Sequence, residues 1–277
     1  MNNIKNMVKK SGTSFFWSMR LLPNAKRNAM YTIYAFFRHI DDIVDGNAPL
    51  EEKQELLSAW REELDNIYDK KLPTTDIGRR IYKNCMRFKL PKEEFIELLD
   101  CISMDIPKPV QAPTMQEFER YCGGVAGVPG NLTLRVLGVK DQELIKELSK
   151  TLGTALQITN ILRDVKEDAY AQRLYIPEEC LQKAGISSRD PMTVLVDKNL
   201  AIAREDLARQ AAAYYDRAFE LLKKIDKKNA RPVKAIAYIY KRYFDIMSNR
   251  GWEIVSPKPH IGKMSKLCLA LKAFMGK

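Results

Sequence analysis

The sequence predicts an all-α fold, with about ten helices in a single domain around a central space. Apolar residues recur at the three- and four-residue spacing of an amphipathic helix along nearly the whole chain. Alternating apolar and polar runs rich in β-branched side chains, which are typical of strands, are scarce. No long linker or low-complexity tract divides the 277 residues. We therefore expect one domain that spans residues 1–277.

The positions of the helices follow from the same periodicity and from the breakers between them. Helices are predicted at 24–46, 50–69, 76–88, 91–104, 114–137, 141–168, 177–184, 197–226, 231–252 and 262–274. Proline and glycine mark the predicted breaks at 71–73, 107–113, 127–130, 185–191 and 229–232. Such short connections are typical of a helical bundle.

Composition restricts the chemistry that the chain can perform. The formal net charge of +11 makes polyanions plausible partners. No concentrated basic run with interleaved aromatic residues occurs, so we expect no nucleic-acid binding. The five cysteines include no CxxC pair, which indicates a reducing compartment. Because the chain has only two histidines, a zinc site or a Ser-His-Asp triad is not favoured.

The two ends of the chain bear on its location. Residues 1–10 are polar and basic, with no apolar segment typical of a secretory signal. No apolar run approaches the roughly 20 residues that span a bilayer. The stretch 263–277 is basic and amphipathic; we favour a final packing helix, with an anionic membrane surface as the alternative. We expect a cytoplasmic protein and leave peripheral contact with the inner face of the membrane open.

The first stretch that carries chemistry is an acidic stripe near the N-terminus. Because a helix turns by about 100° per residue, Tyr34, Arg38, Asp41 and Asp45 fall within an arc of about 60°. Apolar residues border this arc. If the stripe faces the interior, its two carboxylates repel each other and require a cation.

A second polar stripe follows more than a hundred residues later. Gln157, Asn160, Asp164 and Asp168 fall within an arc of about 80° on a largely apolar helix. Upstream of it, small residues at Gly153 and Ala155 allow a ligand or another helix to approach closely.

Oxygen ligands one helical turn apart suit magnesium, which binds a few carboxylates together with substrate phosphate oxygens. Either stripe alone is more often a solvated helix face. Together, on facing helices, they would clamp a diphosphate through several ions and neutralise it as it leaves.

Five ordered motifs make the chain similar to the squalene/phytoene synthase family, enzymes that join two prenyl diphosphates head to head. They are residues 14–17 with 21–23, 34–38 with 41–45, 121–127, 156–168 and 173–177. The resemblance covers nearly the whole chain and implies an isoprenoid-synthase-type helical bundle around a central cavity. The chain departs from the family pattern at Pro129, which puts the continuation of the helix after Val128 in doubt, and at Ala171 and Gln172 before Arg173.

The resemblance also implies a role for individual residues. The implied magnesium ligands are Asp41, Asp45, Asn160, Asp164 and Asp168, and the implied catalytic residues are the four aspartates with Tyr121. Diphosphate contacts or their support are implied for Arg38, Arg163, Arg173 and Tyr175, and substrate-site positions for Ser14, Phe15, Tyr34 and Gln157. Tyr121 and Val125 match the wall near the reacting carbons, while Tyr240 and one of Lys258 or Lys263 are further phosphate contacts.

The implied reaction is that of a farnesyl-diphosphate farnesyltransferase. Two farnesyl diphosphates, with two or three Mg²⁺ ions, would form presqualene diphosphate in squalene and hopanoid biosynthesis. Residues 168–185 most resemble bacterial presqualene diphosphate synthases of the hopanoid pathway, which need no nicotinamide, so NADPH is not expected. The alternatives are a phytoene or dehydrosqualene synthase, a squalene synthase that completes an NADPH-dependent reduction, and a non-enzymatic assembly or scaffold protein. The identity of the base and the oligomeric state stay open.

Overall fold

The computed structural model of the chain describes residue 19, residues 22–106 and residues 109–275. Within these ranges the regular secondary structure is helical, with no strand and only an isolated bridge between Gln111 and Leu174. The predicted all-α fold is therefore confirmed. None of the described helices is both long and apolar enough to cross a membrane.

Twelve α-helices occur in the described part of the chain, and we number them in order. They are α1 (Asn24–Asp45), α2 (Leu50–Asp65), α3 (Asp76–Phe88), α4 (Lys92–Ile102), α5 (Met115–Cys122), α6 (Val128–Leu137), α7 (Gln142–Tyr170), α8 (Glu178–Lys183), α9 (Pro191–Leu195), α10 (Leu200–Leu222), α11 (Lys227–Arg250) and α12 (Lys263–Met275). A π-helix, Asn66–Lys70, extends α2; another, Gly123–Gly127, joins α5 to α6; and a 3₁₀ turn, Ser103–Asp105, follows α4.

The helix α7 is the centre of the bundle. It is 29 residues long and packs against α6, α10, α11 and the Gly123–Gly127 π-helix. Its N-terminus is fixed by Asp141, whose side chain accepts a hydrogen bond from the Leu144 backbone N–H at 3.0 Å. Ile145, Ile158 and Leu162 are fully buried on different faces, as expected for a helix surrounded by others.

Gly153 lies where α7 packs closely against a neighbouring helical segment, which explains why a small residue occurs at this position. A Cβ atom at Gly153 would lie 2.7 Å from the Gly127 backbone nitrogen and 2.8 Å from the Ala126 carbonyl carbon. The neighbour that approaches most closely is therefore another helical segment, the π-helix.

The predicted helix 114–137 is one helical rod with a wide turn in its middle. Thr114 and Glu117 form a capping box at its start. The Val128 N–H donates to the Gly123 carbonyl, five residues back, which defines the π turn. Pro129 then falls in the first turn of α6, where a backbone N–H is least needed. The helix therefore continues past Val128 despite the proline.

The predicted break at 229–232 is wrong. The helix α11 begins at Lys227 and contains Pro232. Its start is set by Asp226, whose side chain accepts hydrogen bonds from the backbone N–H groups of Lys228 and Asn229 at 3.0 and 3.3 Å. Pro232 is the sixth residue of α11, past the first turn, so it removes one intrahelical N–H donor; the aspartate cap and the packing of the remaining helix outweigh that loss. The short helix α9 was not predicted.

We expect the variant Gly153→Ala to lower the free energy of unfolding by about 1–3 kcal/mol, because the new methyl group must push the π-helix backbone away from α7. Urea unfolding followed by circular dichroism measures this. The matched control is Gly123→Ala, since a Cβ atom at Gly123 would meet nothing within 4 Å. Equal stability of the two variants would contradict the close contact.

Candidate active site

A cavity between α1, α4, the Gly123–Gly127 segment and α7 divides into a polar and an apolar part. The polar part has a volume of about 490 Å³, and the apolar part, deeper toward α6 and α11, about 250 Å³. Both parts are lined by Phe37, Arg38, Asp41, Val125, Gln157 and Asn160. The two parts are therefore continuous, with the carboxylates at one end and hydrocarbon-lined space at the other.

The two acidic stripes face each other across the polar part. Asp41 and Asp45 on α1 and Asp164 and Asp168 on α7 all line it. Arg173 connects them: its Nη2 lies 2.7 Å from Asp45 Oδ1, and its backbone N–H donates to the Asp168 carbonyl at 2.8 Å. The two stripes are thus turned toward one space, as predicted for an ion site, whose binding of ions stays a prediction.

Burial and mutual repulsion perturb two of the four carboxylates. Burial, together with the neighbouring Asp45 charge, raises the pKa of Asp41 to about 6. Burial, together with the Asp164 charge, raises the pKa of Asp168 to about 7. Cations lie near both groups and oppose the shift without cancelling it. Burial and local repulsion therefore leave the charges of Asp41 and Asp168 incompletely compensated, and a bound cation would relieve this.

Asp164 differs from its neighbours because two basic side chains contact it directly. Burial alone would raise the pKa of its carboxyl group, but Arg163 and Lys258 reverse the shift and lower it. Arg163 donates two hydrogen bonds to the carboxylate, at 2.9 and 2.5 Å. Lys258 Nζ lies 2.7 Å from Asp164 Oδ1 and 3.1 Å from Glu167 Oε1. Asp164 is thus ionised and oriented before any ligand arrives.

Asn160 has a buried side-chain oxygen without a hydrogen-bond partner in the part of the chain that the structure describes. Its Oδ1 is buried and accepts no hydrogen bond from any described residue, while its Nδ2 donates to Gln157 Oε1 at 3.4 Å. A buried carbonyl oxygen left unsatisfied costs free energy unless a cation or water coordinates it. An amide oxygen beside carboxylates is a donor set that suits Mg²⁺.

No three His, Cys, Asp or Glu side chains within the described ranges lie close enough together to hold a metal ion by themselves. Magnesium could therefore be held only by partial ligand sets, with the remaining positions filled by substrate or water oxygens. The residues that could contribute are Asp41, Asp45, Asn160, Asp164 and Asp168.

Aromatic rings form the wall opposite the aspartates. Tyr121 and Tyr175 stack with ring centroids 5.0 Å apart and an interplanar angle of 16°. Val125 lies beside them and borders both parts of the cavity. Tyr240 faces the apolar part from α11, and burial raises the pKa of its hydroxyl group. These rings offer polarisable faces with few groups that would react with a cation.

The structure brings nearly all the predicted site residues together. The polar part is lined by Arg38, Asp41, Asp45, Tyr121, Val125, Gln157, Asn160, Arg163, Asp164, Asp168, Arg173 and Tyr175. Tyr34 and Tyr240 line the apolar part. Ser14 and Phe15 lie outside the described residues. Of the two candidate lysines, Lys258 contacts the site and Lys263 lies at the start of α12. The roles predicted for these residues stay predictions.

Arg204 supports the site and was not predicted. It is fully buried on α10 and donates to three backbone carbonyls: Leu162 on α7 at 2.9 Å, Ile254 at 3.3 Å, and Trp252. These bonds fix the segment after α11 against α7, so that Lys258 reaches Asp164. The sequence did carry a signal, since Arg204 is a lone charge on the apolar stripe of its helix.

Comparison with known proteins identifies the family. The family model for squalene/phytoene synthases matches residues 8–265. The chain belongs to the squalene/phytoene synthase family. Among its relatives, presqualene diphosphate synthases from Sinorhizobium fredii and Rhodopseudomonas palustris are 33% and 35% identical, each match covering 94% of this chain and 92% of the relative.

A solved dehydrosqualene synthase has the same fold as this family member. It superposes with a TM-score of 0.86 at 26% identity, and the match covers 99% of this chain and 94% of that one. The predicted family and the predicted bundle around a central cavity are both confirmed.

The raised pKa of Asp168 predicts a pH-dependent gain of stability in the variant Asp168→Asn. Its protonated form stabilises the folded state below pH about 4, and this contribution is lost as the pH rises through about 7. Asparagine stays neutral, so without metal the variant should match the parent at pH 4 and exceed it at pH 8 by about 4 kcal/mol, since each pKa unit corresponds to about 1.4 kcal/mol.

Urea unfolding in EDTA at both pH values measures this difference. The control is Asp76→Asn on the surface, where Arg79 holds the pKa of the carboxyl group low, so no gain is expected. An Asp168→Asn protein no more stable than the parent at pH 8 would contradict the repulsion inferred in the site.

Proposed function

We propose that this family member is a magnesium-dependent prenyltransferase that condenses two farnesyl diphosphates head to head into presqualene diphosphate. The observation that supports this best is the continuity of the cavity, with carboxylates and cations at one end and apolar space at the other. A prenyl diphosphate has the same division into a polyanionic head and a hydrocarbon tail. The resemblance to bacterial presqualene diphosphate synthases points to the same substrate.

In the proposed reaction the C–O bond of one substrate breaks and its pyrophosphate departs with the electron pair. Bound magnesium would neutralise the oxygens of that leaving group. Arg163, Arg173 and Lys258, already held against the carboxylates, are positioned to take over contacts with the diphosphate.

The double bond of the second substrate then attacks the allylic cation, and loss of a proton closes the cyclopropane ring. The stacked Tyr121 and Tyr175 rings would stabilise the cation through their faces. The apolar walls exclude water, which would otherwise capture the cation as an alcohol. The Tyr121 hydroxyl group and the departing pyrophosphate are the two candidates for accepting the proton.

The product is the point on which relatives differ. The similarity to a dehydrosqualene synthase favours, as a second candidate, rearrangement of the cyclopropane within the same site. Reduction to squalene would require NADPH, which we do not propose as a cofactor.

We propose a cytoplasmic location, because all five cysteines, four of them buried, are free thiols.

Mass analysis of the products tests the reaction. The full chain with farnesyl diphosphate and Mg²⁺ should yield presqualene diphosphate, and NADPH should change neither its amount nor its identity. Geranylgeranyl diphosphate as substrate tests the phytoene alternative. Dehydrosqualene as the main product would replace the proposed end point, and the absence of any condensed product would reject the prenyltransferase.

The ion site predicts that Asp41→Asn and Asp164→Asn each lower turnover at least about a hundredfold, because each removes a charge that holds the ions on the diphosphate. Helicity measured by circular dichroism should be unchanged. EDTA should abolish turnover in the parent, and added Mg²⁺ should restore it.

The matched control is Asp42→Asn. Asp42 is adjacent to Asp41 on α1, but it lines neither part of the cavity and pairs with Arg38 at the half-exposed surface, at 2.7 Å. Its replacement should cost far less activity. Similar losses in the Asp41 and Asp42 variants would contradict a site built on one face of the helix.

A further inference from the structure

We propose that α12, together with the basic start of α11, docks the enzyme on an anionic lipid bilayer. This surface is separate from the active-site cleft, and its binding to lipid does not depend on turnover. The proposal therefore goes beyond the condensation reaction and can fail or hold independently of it.

The outer face of α12 carries an apolar stripe. Met264, Leu271 and Met275 expose 72%, 45% and 66% of their surface, and Cys268 between them is also exposed. At about 100° per residue, these four positions fall within an arc of about 60°. They form a continuous row along the full length of the helix rather than scattered surface residues.

This stripe is not the face that holds α12 in the fold. The opposite face packs on α11, with Ala270 and Ala273 against Ala235 and Leu269 against Ile239. The helix is therefore apolar on two sides, and only one side is used for internal packing. The sequence favoured a packing helix over a membrane-facing one, and the structure gives α12 a face for each.

Basic residues border the stripe on part of its length. The helix α12 has no acidic residue, and two of its three lysines, Lys263 and Lys272, flank the stripe, while Lys266 lies on the opposite face over the Tyr243 ring. Since Ala273 packs against Ala235, the end of α12 lies beside the first turns of α11. Exposed lysines concentrate there and just before it, at positions 223, 224, 227 and 228, with Asp226 and Glu220 as nearby acidic residues. An apolar row with a cationic border is the pattern of a helix that binds anionic membranes.

The apolar end of the cavity lies close to this surface. Val233 and Ile236 of α11 line it. Lys26 donates to the Leu137 carbonyl at 2.6 Å, and the Lys228 charge contributes, after burial, to lowering the pKa of Lys26. The basic border and the tail-binding space thus share one end of the bundle. Docking there would hold the enzyme next to the phase into which prenyl chains partition.

Charge decides between a bilayer and a second copy of the chain. Two copies that joined their stripes would bring their lysine borders together, and these like charges repel. An anionic lipid surface offers apolar contact and charge complementarity at once.

Vesicle co-sedimentation of the full chain in EDTA, without substrate, tests the proposal. The parent should bind vesicles of phosphatidylcholine mixed with phosphatidylglycerol at low salt, and bind pure phosphatidylcholine at least about tenfold less. The variant Met264→Ser/Leu271→Ser/Met275→Ser should lose about tenfold in binding to the anionic vesicles. The variant Lys227→Glu/Lys228→Glu should bind the anionic vesicles more weakly than the parent, and its binding should depend less on salt concentration.

The matched control is Val196→Ser/Ile202→Ser, which changes two exposed apolar residues on another surface, 79% and 51% exposed. It should bind like the parent. Since all changed residues are exposed, thermal unfolding should be the same in every variant, and turnover in detergent should persist. Parent-like binding by the triple variant would overturn the proposal, as would a dimer in sedimentation velocity that the triple variant abolishes.

Discussion

Electrostatic repulsion among carboxylates held in one partly buried cleft is the constraint around which this molecule is arranged. Two helices that are far apart in the chain each bring two aspartates to the same space. Packing of α7 on all sides holds them there, since its hydrophobic contacts cannot be kept if the helix rotates away. Four cations, Arg38, Arg163, Arg173 and Lys258, reduce the repulsion only in part, since the pKa values of Asp41 and Asp168 stay raised. This residual repulsion is the physical basis of the proposed metal and diphosphate binding.

The same arrangement explains why the cavity changes character along its length. Charged ligands need positions with access to solvent, whereas a carbocation needs surroundings without water. Asn160 and Gln157 stand at the boundary and line both parts. Beyond them the lining is mainly aliphatic and aromatic. In the proposed reaction, one continuous space would bind the head group by charge and the tail by apolar contact.

Much of the site could be predicted from spacing alone. The rotation of about 100° per residue predicted that Tyr34, Arg38, Asp41 and Asp45 share one face of α1. The same calculation predicted the polar stripe on α7. The predicted bounds of α3 agree with the structure, since Thr75 caps its start. What spacing cannot supply is long-range contact. The bonds from Arg204 to the Trp252–Ile254 segment join positions about 50 residues apart, and the ion pair of Lys258 with Asp164, which distinguishes it from Lys263, joins positions almost a hundred residues apart. The helix starts at Lys227 because the Asp226 cap has a larger effect than Pro232, and hydrophobic periodicity cannot show which of the two effects is larger.

The wide turn at Gly123–Gly127 has a geometric consequence. In a uniform α-helix, positions four residues apart drift by about 40° each time, so Tyr121, Val125, Pro129 and Thr133 would spread around the rod. All four nevertheless line the cavity, because the wide turn takes up one more residue and brings the later positions back into phase. Deleting a single residue here would rotate Tyr121 away from the cavity relative to Pro129 and Thr133. This stretch should therefore not tolerate a change in length, and substitution is restricted at Gly124 as well, where a Cβ atom would overlap the Cys101 side chain.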